Sequence, residues 1–219
     1  MTMQLFSHPF SSYCQKALIA FYENETHFTV RTLSSDDAAT GAEFASRWSV
    51  KRFPILLDGN RTILEATTII EYLEVNHPGR VRLIPQDPQA AIDVRMMDRV
   101  FDNYISTPVQ KMVFDALRAP ETRDAQGVTE ARAMLDTTYA WLDGAMADRE
   151  WAAAGAFSLA DCAAAPALFY ADWTHPIAPR FSNLRAYRAR LLARPSFARA
   201  VDEARPFRSF FPLGAPDRD

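Results

Sequence analysis

Residues 5–21 read LFSHPFSSYCQKALIAF, and this stretch decides how the chain begins to fold. Its first two residues are apolar and are predicted to end a buried strand, and a polar turn that contains Pro9 follows them. Beyond the turn, apolar residues recur at spacings of three and four, as on one face of a helix: Ala17, Leu18, Phe21 and Tyr22. Ser11 or Ser12 is therefore predicted to cap the start of this helix.

The start of this first helix is a candidate anion site. Backbone N–H groups at a helix start have no partner within the helix and carry the positive end of its dipole, so they favour a phosphate, carboxylate or thiolate. A serine hydroxyl at the same place can donate one more hydrogen bond. A plain cap that satisfies only its own helix is the commoner use of serine at this position, and the local pattern does not separate the two uses.

The composition predicts a soluble globular protein. The chain has 219 residues, of which 48% are hydrophobic and 23% charged, enough to bury a core in one large domain or two small ones. A net charge of -3 and a pI near 5.8 create no field that attracts nucleic acid or an anionic membrane. Neither is therefore expected as a partner.

Three features of the sequence indicate the cellular compartment and the absence of a metal site. Cys14 and Cys162 lie far apart and indicate no disulfide framework, which favours a reducing compartment. No metal site is expected, because the histidines show no metal-ligand spacing: His8, His27, His77 and His175. No apolar run reaches membrane-spanning length and no signal-peptide pattern precedes the first strand, so cytoplasmic residence is expected.

The order of elements predicts an α/β domain followed by a helical one. Residues 1–78 follow the order βαβαββα, with strands after the first one predicted at 27–31, 53–57 and 61–64. Residues 79–87 contain few helix formers and are predicted to be a linker. Residues 88–219 are predicted to be all-helical, which makes the fold class α/β and then all-α.

Helix signals recur through the second domain. Asp87 followed by Pro88 is typical of a helix start, and the helical pattern then continues until Pro108 disturbs it. Residues 158–161 (SLAD) form a short-armed capping box ahead of a helix that is apolar all round and therefore buried. Further helices are predicted at 124–148, 182–193 and 196–204.

Four short segments are similar, in order, to segments of one known family: 11–16 (SSYCQK), 51–56 (KRFPIL), 65–67 (EAT) and 158–161. With the element order, they make the chain resemble the cytosolic glutathione transferases over essentially its whole length. The first segment looks like the active-site stretch of bacterial, serine-type classes such as theta and zeta. It is also similar to the Cys-Pro-Tyr-Cys of glutaredoxins with the first cysteine replaced. The resemblance implies a thioredoxin-like first domain and an all-helical second domain.

The resemblance implies that glutathione is the co-substrate and that Ser11 is the catalytic residue, with Ser12 as the alternative hydroxyl. A free thiol has a pKa of about 8.5, and only its thiolate is strongly nucleophilic. A hydroxyl that donates to the sulfur, together with the positive end of the first helix, would lower that pKa. Cys14 lies on the same helix face, but a two-thiol mechanism is not expected because the first position is serine, so Cys14 is interpreted as core.

The resemblance also implies the other contacts of the tripeptide. Pro54 can follow a cis bond at small cost, which would turn the Phe53 N–H and C=O toward the cysteinyl part. Glu65 can accept from the γ-glutamyl ammonium, and the N–H groups at a helix start suit its carboxylate: Ala66 and Thr67. Ala66 departs from the family's usual serine, which predicts weaker affinity for glutathione. The predicted binding set also includes Phe10, Ser11 and Ser12, with Lys51 or Arg52 facing the glycyl carboxylate.

The resemblance places a second, apolar pocket between the two domains, for a small hydrophobic electrophile. Its predicted walls come from the loop after the first strand, from the first helix of the second domain and from the buried helix: His8, Phe10, Met97, Phe101, Tyr104, Pro108 and Trp173. Residues 180–208 contain eight arginines and only two acids. A solvated helical face is the favoured interpretation of that run, and a binding patch is the alternative.

The function predicted by resemblance is glutathione transfer to a small electrophile, as in detoxification, by a homodimer. The alternatives are a non-catalytic ligand-binding or stress-response protein of the same fold, which the Ala66 departure favours, or a glutathione-dependent peroxidase or isomerase. A zeta-type isomerase is less favoured, since Tyr13 stands where that class has cysteine.

Overall fold

The computed structural model describes residues 2–34 and 36–219. Met1 and Ser35, which fall within the predicted first domain, lie outside the described residues. The first part of the chain contains strands β1 (Met3–Ser7), β2 (Phe28–Thr32), β3 (Ile55–Asp58) and β4 (Arg61–Leu64) and helices α1 (Ser12–Glu23), α2 (Ala38–Arg47) and α3 (Ala66–Asn76). Helices follow: α4 (Pro88–Phe101), α5 (Thr107–Ala116), α6 (Ala125–Ala145), α7 (Leu159–Thr174), α8 (Ser182–Leu192) and α9 (Pro195–Ala204).

The strands form one mixed sheet in the order β2-β1-β3-β4. β1 is parallel to β2 and antiparallel to β3, with Phe6 opposite Ile55, and β3 is antiparallel to β4, with Ile55 opposite Leu64. This register brings three chain segments to one end of the sheet: the segment that follows β1, the one that precedes β3 and the one that follows β4. Residues far apart in sequence therefore meet there.

Helix α1 is enclosed by both parts of the molecule. It contacts α3 on one side and α7 and α9 on the other. All of its residues from Cys14 to Phe21 are buried, including the polar Gln15 and Lys16. A helix with this much apolar surface is stable because its neighbours cover it on several sides.

The helix that begins at Pro88 passes through a π-helical turn, Asp102–Ser106, before it continues as α5. Proline lacks an N–H and crowds the carbonyl four residues earlier, so Pro108 cannot complete regular hydrogen bonding to that turn. A π turn is the widened form of a helix that accommodates such a defect. The predicted disturbance at Pro108 is confirmed, and the helix carries Gln110 and Phe114 beyond it.

The predicted capping box is present at the start of α7. Asp161 accepts from the Ser158 N–H and from the Ala152 N–H, both at 2.9 Å, and from the Tyr187 hydroxyl at 2.7 Å. Burial raises the pKa of the Asp161 carboxyl, and these donors oppose that rise. Because the same carboxylate caps α7, holds the preceding loop and binds α8, it joins three segments.

The predicted fold class is confirmed: a thioredoxin-like α/β part with a mixed sheet, followed by helices. The predicted helix at 124–148 ends earlier, at Ala145, and the third strand begins at Ile55 rather than at Phe53. Within residues 2–34 and 36–219, no helix is both long and apolar enough to cross a membrane.

Candidate active site

A cavity of about 360 Å³ lies where the three chain segments meet at the end of the sheet. Its walls come from the start of α1, the segment before β3, the start of α3 and the helix through the π turn: Ser11, Tyr13, Lys51, Arg52, Phe53, Pro54, Glu65, Ala66, Arg99, Asp102, Asn103, Gln110 and Phe114. The structure thus brings together most of the residues predicted from separate motifs to bind one tripeptide.

Ser11 is both the cap of α1 and a wall of the cavity. Its Oγ accepts from the Cys14 N–H at 3.2 Å, and its backbone is extended, with φ -96° and ψ 117°, as a cap requires. The cap uses the hydroxyl as an acceptor, so its proton can still be donated to a ligand. The two interpretations of Ser11 are therefore compatible.

The residues on either side of Ser11 do not line this cavity. Ser12 is the first residue of α1 and is absent from the cavity wall. Phe10 packs instead against Tyr170, Trp173 and Phe211, with ring centroids 5.8, 6.5 and 6.0 Å away. The geometry favours Ser11 over Ser12 as the hydroxyl that faces a ligand.

The segment before β3 presents backbone groups and cations to the cavity. The Phe53–Pro54 bond is cis, as the sequence suggested. The Phe53 N–H and C=O make no backbone hydrogen bond with the described residues, so an extended ligand can use both. Lys51 and Arg52 have no carboxylate partner among the described residues, and the Arg52 guanidinium lies 6.0 Å from the centre of the Phe114 ring.

Glu65 adopts an unusual backbone conformation at the start of α3. Its φ is 69°, in the left-handed region that a non-glycine residue rarely occupies, and it caps α3 without a side-chain hydrogen bond. Its side chain is exposed on the cavity wall, and Ala66 beside it is buried. Such outliers cluster at ligand sites, where the surrounding structure compensates for their strain. The free carboxylate of Glu65 and the open N–H groups of α3 therefore face the cavity together.

Thr67 is held by a buried charge cluster that the sequence motifs did not reveal. The Lys16 ammonium lies 2.5 Å from Asp98 and 2.8 Å from Asp102, and it donates to the Thr67 Oγ at 2.9 Å. The Thr67 hydroxyl donates in turn to Asp98 at 3.0 Å. The Thr67 side chain is thus occupied inside the protein, and only its backbone N–H remains for a ligand. A lysine within an apolar helical pattern was the available signal, because lysine is rarely buried without acidic partners.

Arg99 extends this charge cluster into the cavity. Its guanidinium donates to Asp98, to Asp102 at 2.7 Å and to the Thr67 hydroxyl, all through Nε or Nη2. No described atom accepts from Nη1, and the side chain is half exposed on the cavity wall. Burial raises the pKa of the Asp102 carboxyl, whereas Lys16 lowers it. Arg99 is a fixed cation with unused donors beside the start of α3.

Tyr13 adds a second hydroxyl to the wall. Burial and the Asp102 charge raise the pKa of the Tyr13 phenol, which keeps it protonated at neutral pH. The described residues include no hydrogen-bond partner for this hydroxyl. It is therefore available as a donor near Arg99 and Glu65.

Most of the side chains predicted to form an apolar pocket lie elsewhere. Met97, Phe101 and Pro108 are buried in the helical core, Trp173 packs beneath Phe10, and Tyr104 is exposed. None of them lines the cavity, and His8 lies beside it, stacked on Phe53 with ring centroids 5.6 Å apart. The part of the wall that the π turn and α5 contribute is instead largely polar: Asn103, Gln110 and Phe114. The helical period identified the core face of the helix, whereas the opposite face meets the cavity.

Cys14 is a core residue here. It is fully buried, its Sγ accepts from the His8 N–H at 3.4 Å, and burial raises the pKa of its thiol. Cys162 is also buried. Within the described ranges, no group of three or more histidine, cysteine or acidic side chains is placed to hold a metal ion.

His8, in the turn before Ser11, is expected to make the free energy of unfolding depend on pH. The His8 Nδ1 accepts from the Phe10 N–H at 3.2 Å, and burial lowers the pKa of His8. The unfolded chain therefore binds a proton that the folded turn excludes, so this contribution to the free energy of unfolding is complete above the usual pKa of about 6.5 and is lost as the pH falls from there through the lower pKa of the folded state. We expect His8→Asn, which keeps an acceptor but does not titrate, to remove this dependence. Urea unfolding on both sides of that pH measures it, and an equal loss in both proteins would contradict the assignment.

Models of known families match both parts of the sequence. "Glutathione S-transferase, N-terminal domain" matches residues 5–81, and "Glutathione S-transferase, C-terminal domain" matches residues 107–195. Among curated proteins, glutathione S-transferase U8 of Arabidopsis thaliana is 32% identical over 81 residues, which is 37% of this chain. That match spans 34% of the plant protein, about a third of its length.

Solved structures resemble the whole chain. A glutathione S-transferase of Methylobacterium radiotolerans, in complex with glutathione sulfonate, is 28% identical with a TM-score of 0.80, over 92% of this chain and 95% of that one. The glutathione transferase URE2P8 of Phanerochaete chrysosporium, with oxidized glutathione, is 17% identical with a TM-score of 0.84, over 95% and 97% of the two chains. At that lower identity the likeness concerns the fold alone.

Proposed function

Since this chain belongs to the glutathione S-transferase family, we propose that it binds glutathione in the cavity at the end of its sheet and activates the thiol for attack on a small electrophile. One observation carries the proposal. Ser11, the Phe53 backbone and the Glu65–Ala66 start of α3 come from three distant segments, yet they line one cavity. The bacterial relative that is 28% identical was solved with glutathione sulfonate, which supports the same ligand.

Each part of glutathione has a complementary group on the wall. The ammonium of the γ-glutamyl head pairs with Glu65, and its carboxylate accepts from the N–H groups at the start of α3. The N–H and C=O of Phe53 pair with the cysteinyl unit as a short strand would. Lys51 or Arg52 faces the glycyl carboxylate. This arrangement directs the sulfur toward Ser11.

The chemistry then follows from the start of α1. The Ser11 hydroxyl donates to the sulfur, and the helix dipole favours its negative charge, so the thiol proton is released to solvent at neutral pH. The thiolate electron pair forms a bond with the electrophilic carbon, and the leaving group departs with the bonding pair. Ser11 supplies no proton, because a hydroxyl that stabilises a thiolate remains protonated.

The finer assignments are part of the proposal. We place the chain among serine-type bacterial enzymes of theta or zeta character, acting as a cytoplasmic homodimer in detoxification. Exposed apolar side chains along α4 support association of two copies, notably Ile92 and Met96. Gel filtration with light scattering distinguishes the dimer from the monomer.

A second candidate function is glutathione binding without turnover. Ala66 lacks the hydroxyl that the family usually provides for the γ-glutamyl carboxylate, which favours weaker or merely passive binding. The burial of Cys14 weighs against a peroxidase that depends on thiol exchange.

Two measurements together separate these functions: retention on immobilised glutathione and conjugation of 1-chloro-2,4-dinitrobenzene at neutral pH. Retention with turnover is the expected result. Retention without turnover would support the binding protein, and absence of both would refute a glutathione site. Cys14→Ser serves as the control, because a core residue that does no chemistry should leave turnover intact.

Arg99 is expected to replace the missing serine hydroxyl. Its unused Nη1 lies beside the start of α3, so it can donate to the γ-glutamyl carboxylate while Asp98 and Asp102 hold it in place. Arg99→Gln should raise the KM for glutathione about tenfold with a smaller effect on kcat. Arg95→Gln is the matched control, since Arg95 lies one turn earlier and pairs with Glu71 at 2.6 Å outside the cavity. An unchanged KM in Arg99→Gln would contradict this role.

A further inference from the structure

The arginine-rich tail contains two arginines, Arg185 and Arg188, that face a common space and donate no hydrogen bond to a carboxylate of the described residues, although Arg188 lies 3.4 Å from Asp172. Six of the eight arginines in residues 180–208 have other partners. These are a phenylalanine ring, a backbone carbonyl or a carboxylate: Arg180 over Phe181, Arg190 on the Glu150 carbonyl, Arg194 on Glu23, Arg199 on Glu203, and Arg205 and Arg208 on Asp219. For these six, the interpretation as an ordinary helical surface suffices. Arg185 and Arg188 remain unexplained.

Arg185 and Arg188 line a second cavity, of about 420 Å³, which shares no lining residue with the proposed active site. Arg218 lines the same space, so three guanidinium groups converge there. The remaining walls are the segment after α7, one alanine of α8 and two carboxylates: Pro176, Ile177, Ala189, Asp172 and Asp219. The cavity therefore has cations from two separate parts of the chain.

The two carboxylates in this cavity are already used. Asp172 accepts from the Ile177 N–H at 2.8 Å through one oxygen and from Arg218 through the other. Asp219 is held by Arg205 and Arg208. Arg205 also pairs with Asp202 at 2.8 Å. The cluster of Arg185, Arg188, Arg205, Arg208 and Arg218 therefore lies beside three carboxylates, and Arg185 pairs with none of these three.

Arg188 is the least satisfied donor of the cluster. Its Nε and Nη2 are buried and make no hydrogen bond, and its closest approach to Asp172 is 3.4 Å, out of line for a hydrogen bond. The centre of the Phe169 ring lies 5.5 Å from the guanidinium carbon, and this contact offsets only part of the cost of the missing hydrogen bonds. Arg185 makes one long contact, 3.5 Å, to the Ile177 carbonyl. Buried donors without acceptors are uncommon in proteins and often mark the site of an ion.

We propose that this cavity binds a small oxyanion, a phosphate or a carboxylate group, on Arg185, Arg188 and Arg218. The planar guanidinium of Arg188 presents two parallel donors, which match two oxygens of such a group. Oxygens of the anion supply the acceptors that Arg188 lacks. The site is separate from the glutathione cavity, and its existence does not depend on the transferase activity.

Inorganic phosphate is the first probe, titrated into the glutathione-free protein in a cationic buffer at constant ionic strength held with chloride. We expect a saturable rise in Tm and a matching calorimetric isotherm. Arg188→Gln and Arg185→Gln should each weaken the apparent Kd about tenfold. Arg185 is exposed, so its variant should fold normally even if Arg188→Gln does not. Arg180→Gln, on an arginine outside the cavity, should bind phosphate as the unchanged protein does.

Succinate, titrated in the same way, distinguishes a carboxylate ligand from a phosphate ligand according to which anion binds more tightly. A response to phosphate no larger than the response to chloride would overturn the proposal. So would equal binding by the unchanged protein and by Arg185→Gln.

Discussion

Replacing Ser11 by alanine is expected to lower kcat/KM for conjugation about 100-fold. This is the usual effect of removing one preorganised hydrogen-bond donor from a negatively charged group, here the thiolate of glutathione. The hydroxyl lies on the cavity wall and accepts from the Cys14 N–H, which leaves its proton available for donation to a ligand. Loss of the cap should also lower the free energy of unfolding by about 1 kcal/mol. Steady-state kinetics with glutathione and 1-chloro-2,4-dinitrobenzene measures the first effect, and urea unfolding the second.

Ser12→Ala is the matched control for this prediction, because Ser12 is the next residue and does not line the cavity. It should retain turnover within about twofold, because its hydroxyl does not line the cavity. If Ser12→Ala instead lost activity while Ser11→Ala kept it, the assignment of the hydroxyl would have to be reversed.

Replacing Lys16 by methionine is expected to lower the free energy of unfolding by about 3–5 kcal/mol. The ammonium is almost completely buried between Asp98 and Asp102, so its removal leaves two buried carboxylates that share one remaining counter-charge, the half-exposed Arg99. Chemical denaturation measures the loss. The variant should also bind glutathione more weakly, since the same cluster fixes Thr67 and Arg99 at the start of α3.

Lys111→Met is the comparison for Lys16→Met. Lys111 pairs with Asp124 where both side chains are substantially exposed, and such pairs contribute about 1 kcal/mol or less. Equal destabilisation by the two substitutions would show that the Lys16 cluster contributes no more than a surface pair, which contradicts its proposed role.

Local patterns in the sequence predicted the fold and the segments that line the cavity, because each depends on short stretches of chain. The strand, turn and helix around Ser11, the proline before β3 and the helix start at Ala66 are all readable within a few residues. The antiparallel register of β1 with β3, and of β3 with β4, then brings these stretches to one end of the sheet. Their meeting there is a property of the sheet order and register, which the order of elements alone does not specify.

The charge cluster beneath the site could not be predicted in the same way. Lys16, Thr67 and Asp98 come from three helices, and their contact depends on how α4 packs against the start of α3. A single sequence gives no measure of that packing. The buried lysine was a warning sign, but its partners were not identifiable from spacing.

The residues predicted to form an apolar pocket do not line this cavity, for a related reason. Helical periodicity identifies which residues share a face, but it does not say whether that face meets the core or a cavity. Met97 and Phe101 share the face of α4 that is buried in the core, whereas the cavity receives Arg99 and Asn103. The second half of the cavity is consequently more polar than the sequence suggested.

In the proposed mechanism, Ser11 and the start of α1 stabilise the thiolate of bound glutathione. The most direct test is the ultraviolet absorbance of the thiolate, followed against pH in the complex of glutathione with the unchanged protein and with Ser11→Ala. In the unchanged protein we expect the pKa of the bound thiol to lie at least about one unit below the free value of about 8.5, and in the variant we expect it to return most of the way to that value. A bound thiol that titrates at the free value in both proteins would contradict it.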